Sequence, residues 1–226
     1  MNVLIVAAHP DDEVLGCGGT IARLAAEGNR VSILILGEGV SSRHENPTDA
    51  DPALLKKLHA QAESVGKFLG AQDVSLTKLP DNRFDTVPLL DIIKIVETKI
   101  ETIKPAIVYT QHGGDLNIDH ALTFRAVLTA TRPMKGGCVK RVLGFEASSS
   151  SEWAFQKFSP VFRANAFMDI GATLDKKIKA MSMYDGEERP FPHPRSPEAI
   201  RAKALACGSV AGLSAAEAFE IIRDMQ

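Results

Sequence analysis

The chain has only three cysteines in 226 residues, Cys17, Cys138 and Cys207, far apart and with no C-x-x-C pair. That argues against a disulfide framework or a cysteine zinc site, and for buried or half-buried thiols in a reducing cytoplasm. No basic cluster stands out and the formal net charge is -2, so neither nucleic acid nor an anionic membrane is an expected partner. No stretch approaches the roughly 20 apolar residues of a membrane span. The first apolar run is short, follows no basic segment and stops at charged residues, so it is not read as a signal segment. A cytoplasmic protein is expected. Internal repeats, low-complexity tracts and an interdomain linker are also lacking, and one domain over residues 1–226 is expected. No G-x-S-x-G occurs, which removes the nucleophilic-serine reading. Gly16, Gly18 and Gly19 do not make a dinucleotide fingerprint, because His-Pro-Asp-Asp-Glu separates them from the strand end where the first glycine must sit. They are expected to let a helix pack closely.

What is present is the composition of a globular protein, 45% hydrophobic and 24% charged, with alternating apolar patterns. Asn2 to Ala7 reads as a buried strand, followed by a helix from about Asp12 through Glu27 that stops at Gly28. Arg30 to Leu36 is a second strand, and Gly37 to Asp51 a polar loop. Helical spacing runs from Pro52 to Leu69, a strand from Asp73 to Leu79, a turn over Pro80 to Arg83, and a helix from Pro88 to Lys104. A strand over Ala106 to Thr110, a loop over Gln111 to Asp119 and a helix from about His120 to Thr131 complete the alternation. Such alternation predicts an α/β fold, a parallel sheet covered on both faces. After Pro133 the pattern changes into an elaborated C-terminal third. It has strands over Arg141 to Phe145 and Asn165 to Ile170 and a Ser-rich loop over Ser148 to Ser151. A helix over Thr173 to Tyr184 and a Pro-rich segment over Gly186 to Pro197 follow. Two short helices, about Pro197 to Cys207 and Ser214 to Met225, close the chain.

Chemistry concentrates at two strand ends. The first strand runs into His9-Pro10-Asp11-Asp12-Glu13, and the fourth into His112-Gly113-Gly114-Asp115-Leu116-Asn117-Ile118-Asp119-His120. Ligands of parallel sheets sit beyond the carboxyl ends of the strands, and so dense a charge cluster there is costly unless a cation compensates it. If the two strands are neighbours, His9, Asp12 and His120 offer two imidazoles and one carboxylate. Three protein ligands with a fourth position for water is the usual catalytic zinc set, and Asp11 is then free to take a proton from that water. The same donors also describe the facial triad of iron(II) oxygenases, although Asp11 has no obvious task there. Asp115 and Asp119 read as capping groups or as groups that hold the ligands from behind, with Asp119 the cap of the helix at His120. His112 reads as a loop histidine, and His44 and His59 as surface. Arg43, Asp81 and Arg83 lie in loops at the same sheet edge and suit sugar hydroxyls or a conjugate's phosphate.

Ala8-His9-Pro10-Asp11-Asp12-Glu13 together with Asp119-His120 resembles the LmbE-like, or PIG-L, zinc deacetylase family, and the resemblance spans most of the chain. It implies a Rossmann-like three-layer αβα sandwich. It further implies zinc on His9, Asp12 and His120, Asp11 as general base, and removal of acetyl groups from N-acetylglucosamine-type sugars, free or conjugated. Independently of the resemblance, Asp115 is a candidate substrate contact beside Arg43, Asp81 and Arg83, and Asp119 and His112 are candidates to stand behind the ligands. One position departs from the family pattern: Asn117 stands where a histidine is common. An amide donates a hydrogen bond to an oxyanion but supplies no proton near neutral pH. Either Asp11 moves the proton in both steps or another group helps, and His193 is the expected helper. The alternatives are an amidase cutting a larger acyl group and a non-catalytic sugar-binding relative. The expected partner is a small amino-sugar conjugate, with self-association left open.

Overall fold

A computed structural model describes residues 1–39, 41 and 51–225. The elements in chain order are β1 (Asn2–Ala7), α1 (Asp12–Ala26), β2 (Arg30–Gly37), α2 (Pro52–Leu69), β3 (Asp73–Leu79), α3 (Leu89–Ile103) and β4 (Ile107–Gln111). They continue with α4 (Ile118–Ala130), β5 (Arg141–Phe145), α5 (Ser150–Trp153), β6 (Ala166–Asp169), α6 (Leu174–Met181), α7 (Pro197–Ala211) and β7 (Ala216–Asp224). The sheet has the order β3-β2-β1-β4-β5-β7-β6. β3 to β5 are parallel, and β7 runs antiparallel to both of its neighbours.

β1 shows how its apolar run builds three layers. Successive side chains of a strand point to opposite faces. Val3, Ile5 and Ala7 pack against α1, α2 and α6, while Leu4, Val6 and Ala8 pack against α3 and α4. An unbroken apolar run is what a strand buried on both faces requires. α1 lies close to the sheet because its glycines leave room: a Cβ on Gly16 would fall 2.1 Å from the Phe145 ring, and one on Gly19 2.7 Å from Ile170. Buried polar groups brace the same helix. Lys177 of α6 donates to the Leu15 carbonyl at 2.8 Å and to Glu217 of β7 at 2.6 Å, and Glu217 accepts from the Gly19 and Thr20 amides.

Two expectations fail. The segment from Ser214 to Met225, expected to be helical, is β7. Its Ala and Glu residues favour a helix locally, but the strand fills the gap between β5 and β6 and hides a period of two. Glu217, Phe219 and Ile221 face α1 and α6, with Phe219 edge-on to Tyr109 at 5.0 Å, while Ile222 joins the opposite core. Tertiary pairing overrides propensity here. Further, α4 begins at Ile118 with Asn117 as its cap, the Asn117 side chain accepting from the Asp119 amide. Asp119, expected to be that cap, is fully buried in the first turn.

β1 is flanked by β2 on one side and β4 on the other. The strand order reverses there, and the carboxyl ends of β1 and β4 open side by side into a crevice.

Candidate metal centre

The Asp12 carboxylate is the hub of that crevice. Its Oδ2 accepts from the His9 amide and from Gln111 Nε2, each at 2.9 Å, and lies 3.4 Å from His9 Nδ1 and 3.2 Å from His120 Nε2. Both imidazoles therefore turn one nitrogen toward Asp12. Each turns the other toward a separate carboxylate: His9 Nε2 is 2.9 Å from Asp119 Oδ2, and His120 Nδ1 is 3.1 Å from Asp115 Oδ1. A metal-binding histidine characteristically gives its far nitrogen to such a carboxylate, which fixes the ring and its tautomer.

The donor atoms of His9, Asp12 and His120 lie within 4.8 Å of one another, and so do those of His9, Asp81 and Asp119. The first set suits a divalent cation better. Asp119 is already engaged: Oδ1 accepts from the Phe84 amide at 2.9 Å, and Oδ2 accepts from the Asn82 amide at 2.6 Å beside His9. It ties the 82–84 turn to α4 and leaves little capacity for an ion.

Charge is concentrated here. Burial alone would lower His9, but hydrogen bonds to Asp119 and Asp12 with the charges of Asp12 and Asp81 hold it at about 10. Burial likewise opposes His120, which Asp12 and Asp115 hold at about 9. Burial would raise Asp12, yet His120 and His9 keep it well below the usual carboxylate range. Asp11 is driven well above that range by burial, against the pull of Arg195. Its Oδ2 accepts from Arg195 Nη1 at 2.8 Å, and Arg195 also reaches Glu187 at 3.2 Å and Ser149 Oγ at 3.1 Å. Behind Asp11, Glu13 accepts from the Asp11 amide and from the Tyr184 hydroxyl, and burial lifts its carboxyl to about 7.

A cavity of about 270 Å³ opens over this cluster. His9, Asp11, Asp12, Asp81, Asn117, His120 and His193 line it, together with Asn82, Ser149, Trp153, Glu187, Arg189 and Arg195. Asn117 is engaged on both sides: Oδ1 caps α4 and Nδ2 donates to Asn82 Oδ1 at 2.8 Å. Asp115, expected to touch substrate, is instead buried behind His120, where it accepts from Ser151 Oγ at 2.6 Å. Arg83 is exposed and stands off the described cavity wall. His112 is buried away from the cavity, edge-on to Phe162 at 5.3 Å and 3.6 Å from Glu220; it does not reach the ligands. Arg43 lies outside the described residues.

His193, the expected helper, stands on the cavity wall. Its Nδ1 accepts from the Arg195 amide at 3.1 Å, and burial with Arg195 and Arg189 lowers its pKa. With Nδ1 accepting that bond, Nε2 is the ring nitrogen placed to donate. Sequence reasoning missed Arg195, two residues further on. The charged Pro-rich segment was its only signal. It also did not single out Ser149, Trp153 and Glu187, although they lie in or beside the Ser-rich loop and the Pro-rich segment.

The family model described as PIG-L, GlcNAc-PI de-N-acetylase, matches residues 4–131. The chain is similar to the uncharacterized deacetylase YaiS of Escherichia coli K12, 29% identical over 154 residues, 66% of this chain and 75% of that protein. It is also similar to the diacetylchitobiose deacetylase of Thermococcus kodakarensis, 25% identical over 203 residues, 82% of this chain and 70% of the relative. Among solved structures, it resembles GalB, the 4-carboxy-2-hydroxymuconate hydratase of Pseudomonas putida KT2440. The TM-score is 0.79 at 21% identity, covering 100% of this chain and 97% of that one. It also resembles the N,N′-diacetylchitobiose deacetylase of Pyrococcus horikoshii, with a TM-score of 0.77 at 18% identity, over 98% and 84%. These two likenesses establish the shared fold, which hosts more than one chemistry.

Proposed function

Because this chain belongs to the PIG-L family of GlcNAc-PI de-N-acetylases, we propose that it is a metal-dependent hydrolase removing the N-acetyl group from an N-acetylglucosamine-type sugar or sugar conjugate, with residues 1–226 as one domain. The observation that carries this reading is a single cavity in which two imidazoles and a carboxylate converge while a further carboxylate, Asp11, stands beside them. A bare sugar-binding module has no use for that fourth group.

The proposed ion is Zn²⁺, with Fe²⁺ as the other divalent metal this donor set accepts, held by His9, Asp12 and His120. Such an ion polarises a carbonyl oxygen and lowers the pKa of a water beside it to about 7. The protein's own groups do the rest. Asp11 takes the proton of the attacking water and returns it to the sugar nitrogen as the C–N bond breaks, so that acetate and a free amine leave. Arg195 fixes the rotamer of Asp11 and favours its ionised form. Asn117 keeps a second amide hydrogen for the oxyanion, and His193 adds an Nε2–H at the cavity wall. Asp81 accepts a sugar hydroxyl, while Arg83 and Arg43 serve the conjugated part of the substrate. The three free thiols fit the proposed cytoplasmic setting; no helix among the described residues is long and apolar enough to cross a membrane.

The test is acetate release. Zinc-loaded protein given N,N′-diacetylchitobiose and other N-acetylglucosaminyl conjugates releases acetate, and a chelator stops it. Asp11→Asn lowers kcat by about 10²–10⁴-fold with zinc per chain unchanged. Failure of the zinc-loaded protein to release acetate from any acetamido sugar overturns the reading.

A further inference from the structure

The cavity is uneven. At its metal end the walls are polar and buried, with His9 9% exposed and Asp11, Asp12 and His120 less. Trp153 also lines the cavity yet is 45% exposed. A large apolar side chain left that open beside a polar cavity has either an incidental or a binding role. Its mounting favours binding. Trp153 ends the one-turn helix α5, where Ser149 and Glu152 form a reciprocal capping box. Lys203 of α7 pins Glu152 at 2.7 Å. The His193 ring meets the indole at 5.2 Å and 84°. His193 is in turn held through Nδ1 by the Arg195 amide. The indole is thus fixed in place while close to half of it stays in solvent.

Size supports the same conclusion. About 270 Å³ lies just below the roughly 300 to 1,000 Å³ of drug-sized ligand pockets, and suits one acetamido sugar. Whatever is linked to that sugar must lie over the rim, where Trp153 stands. The electron-rich face of an indole attracts the polarised C–H groups of a saturated sugar ring.

We propose that Trp153, buttressed by His193, is the platform for a second sugar ring, so that the substrate is a disaccharide or larger glycoside whose acetamido unit enters the cavity. This rests on the deacetylase reading above. The experiment exploits the fact that Trp153 is the sole tryptophan of the chain, so its fluorescence reports the platform without turnover. Titrating zinc-loaded protein with chitobiose is expected to quench or shift the emission, at concentrations where glucosamine produces at most a small fraction of that change. In acetate-release assays, Trp153→Ala is expected to lower the ratio of kcat/KM for N,N′-diacetylchitobiose over N-acetylglucosamine by about tenfold, and Trp153→Phe to recover most of it. Equal fluorescence responses to both sugars, no response to either, or an unchanged ratio in Trp153→Ala overturns the proposal. If wild-type protein releases no acetate from any acetamido sugar, the deacetylase reading fails instead, and the fluorescence titration still judges the platform.

Discussion

Asp11 has φ 106° and ψ -30°, a region that costs a non-glycine residue on the order of 1–3 kcal/mol. The turn lets two adjacent carboxylates part ways, Asp12 toward the imidazoles and Asp11 toward Arg195. The Asp11 carbonyl accepts from the Val14 and Leu15 amides, and its own amide is held by Glu13, so the strained residue is fixed on every side. Arg195→Met removes the charge that favours ionised Asp11 and is expected to lower kcat about tenfold or more with zinc content unchanged. Arg195→Lys should lose less, and guanidinium should restore part of the rate. A rise in KM at constant kcat would instead make Arg195 a substrate contact. Protons give a second prediction. With His9 held at about 10 and His120 at about 9, Zn²⁺ must displace a proton from each at pH 7, because only the neutral imidazole ligates. Affinity should therefore rise with pH, by up to about a hundredfold per unit below pH 9, and fall as pH drops. Calorimetry in buffers of different ionisation enthalpy counts the released protons; a count near zero contradicts this protonation.

At the scale of elements, α1 carries the site and is braced from the other end of the chain. Glu217 on β7 accepts from two of its amides and from Lys177, and both charged groups are buried. Removing one partner of a buried pair leaves the other uncompensated. Glu217→Ala is expected to cost about 3–5 kcal/mol, read from the urea unfolding midpoint. The paired change Lys177→Met with Glu217→Leu should cost clearly less, since it leaves no orphan charge, although the Gly19 and Thr20 amides lose their acceptor. Much of this scale was legible. The stops at Gly28 and Pro105 and the strands β1 to β5 follow from local rules of backbone and burial. β7 did not, because an Ala- and Glu-rich segment becomes a strand only when two partner strands are already in place to receive it.

At the scale of the molecule, strand order does what local sequence cannot. β1 and β4 are neighbours, so His9 and His120, 111 positions apart in the chain, face one carboxylate. An ion bound across that junction ties β1 and α1 to α4 and stabilises only the folded chain. At a free Zn²⁺ concentration of about 100 times Kd, linkage adds about 2.7 kcal/mol, or roughly 5–10 °C in Tm for a chain of this size. Thermal unfolding with and without chelator measures it. An unchanged Tm would mean that the folded chain does not bind the ion in preference to the unfolded one.

Apolar periodicity along the chain is enough to specify the layered α/β architecture. The amino-acid sequence also determined the donor types at the crevice, since each of the two clusters is contiguous and each ends a strand. What stands around them is set by the way the layers pack. Arg195 at Asp11, Trp153 at the rim, Asp115 behind His120 and Glu217 under α1 all arrive from distant segments. A local pattern specifies an element and the residues at its end; which remote side chain meets them depends on how the layers close, and no spacing along the chain encodes that.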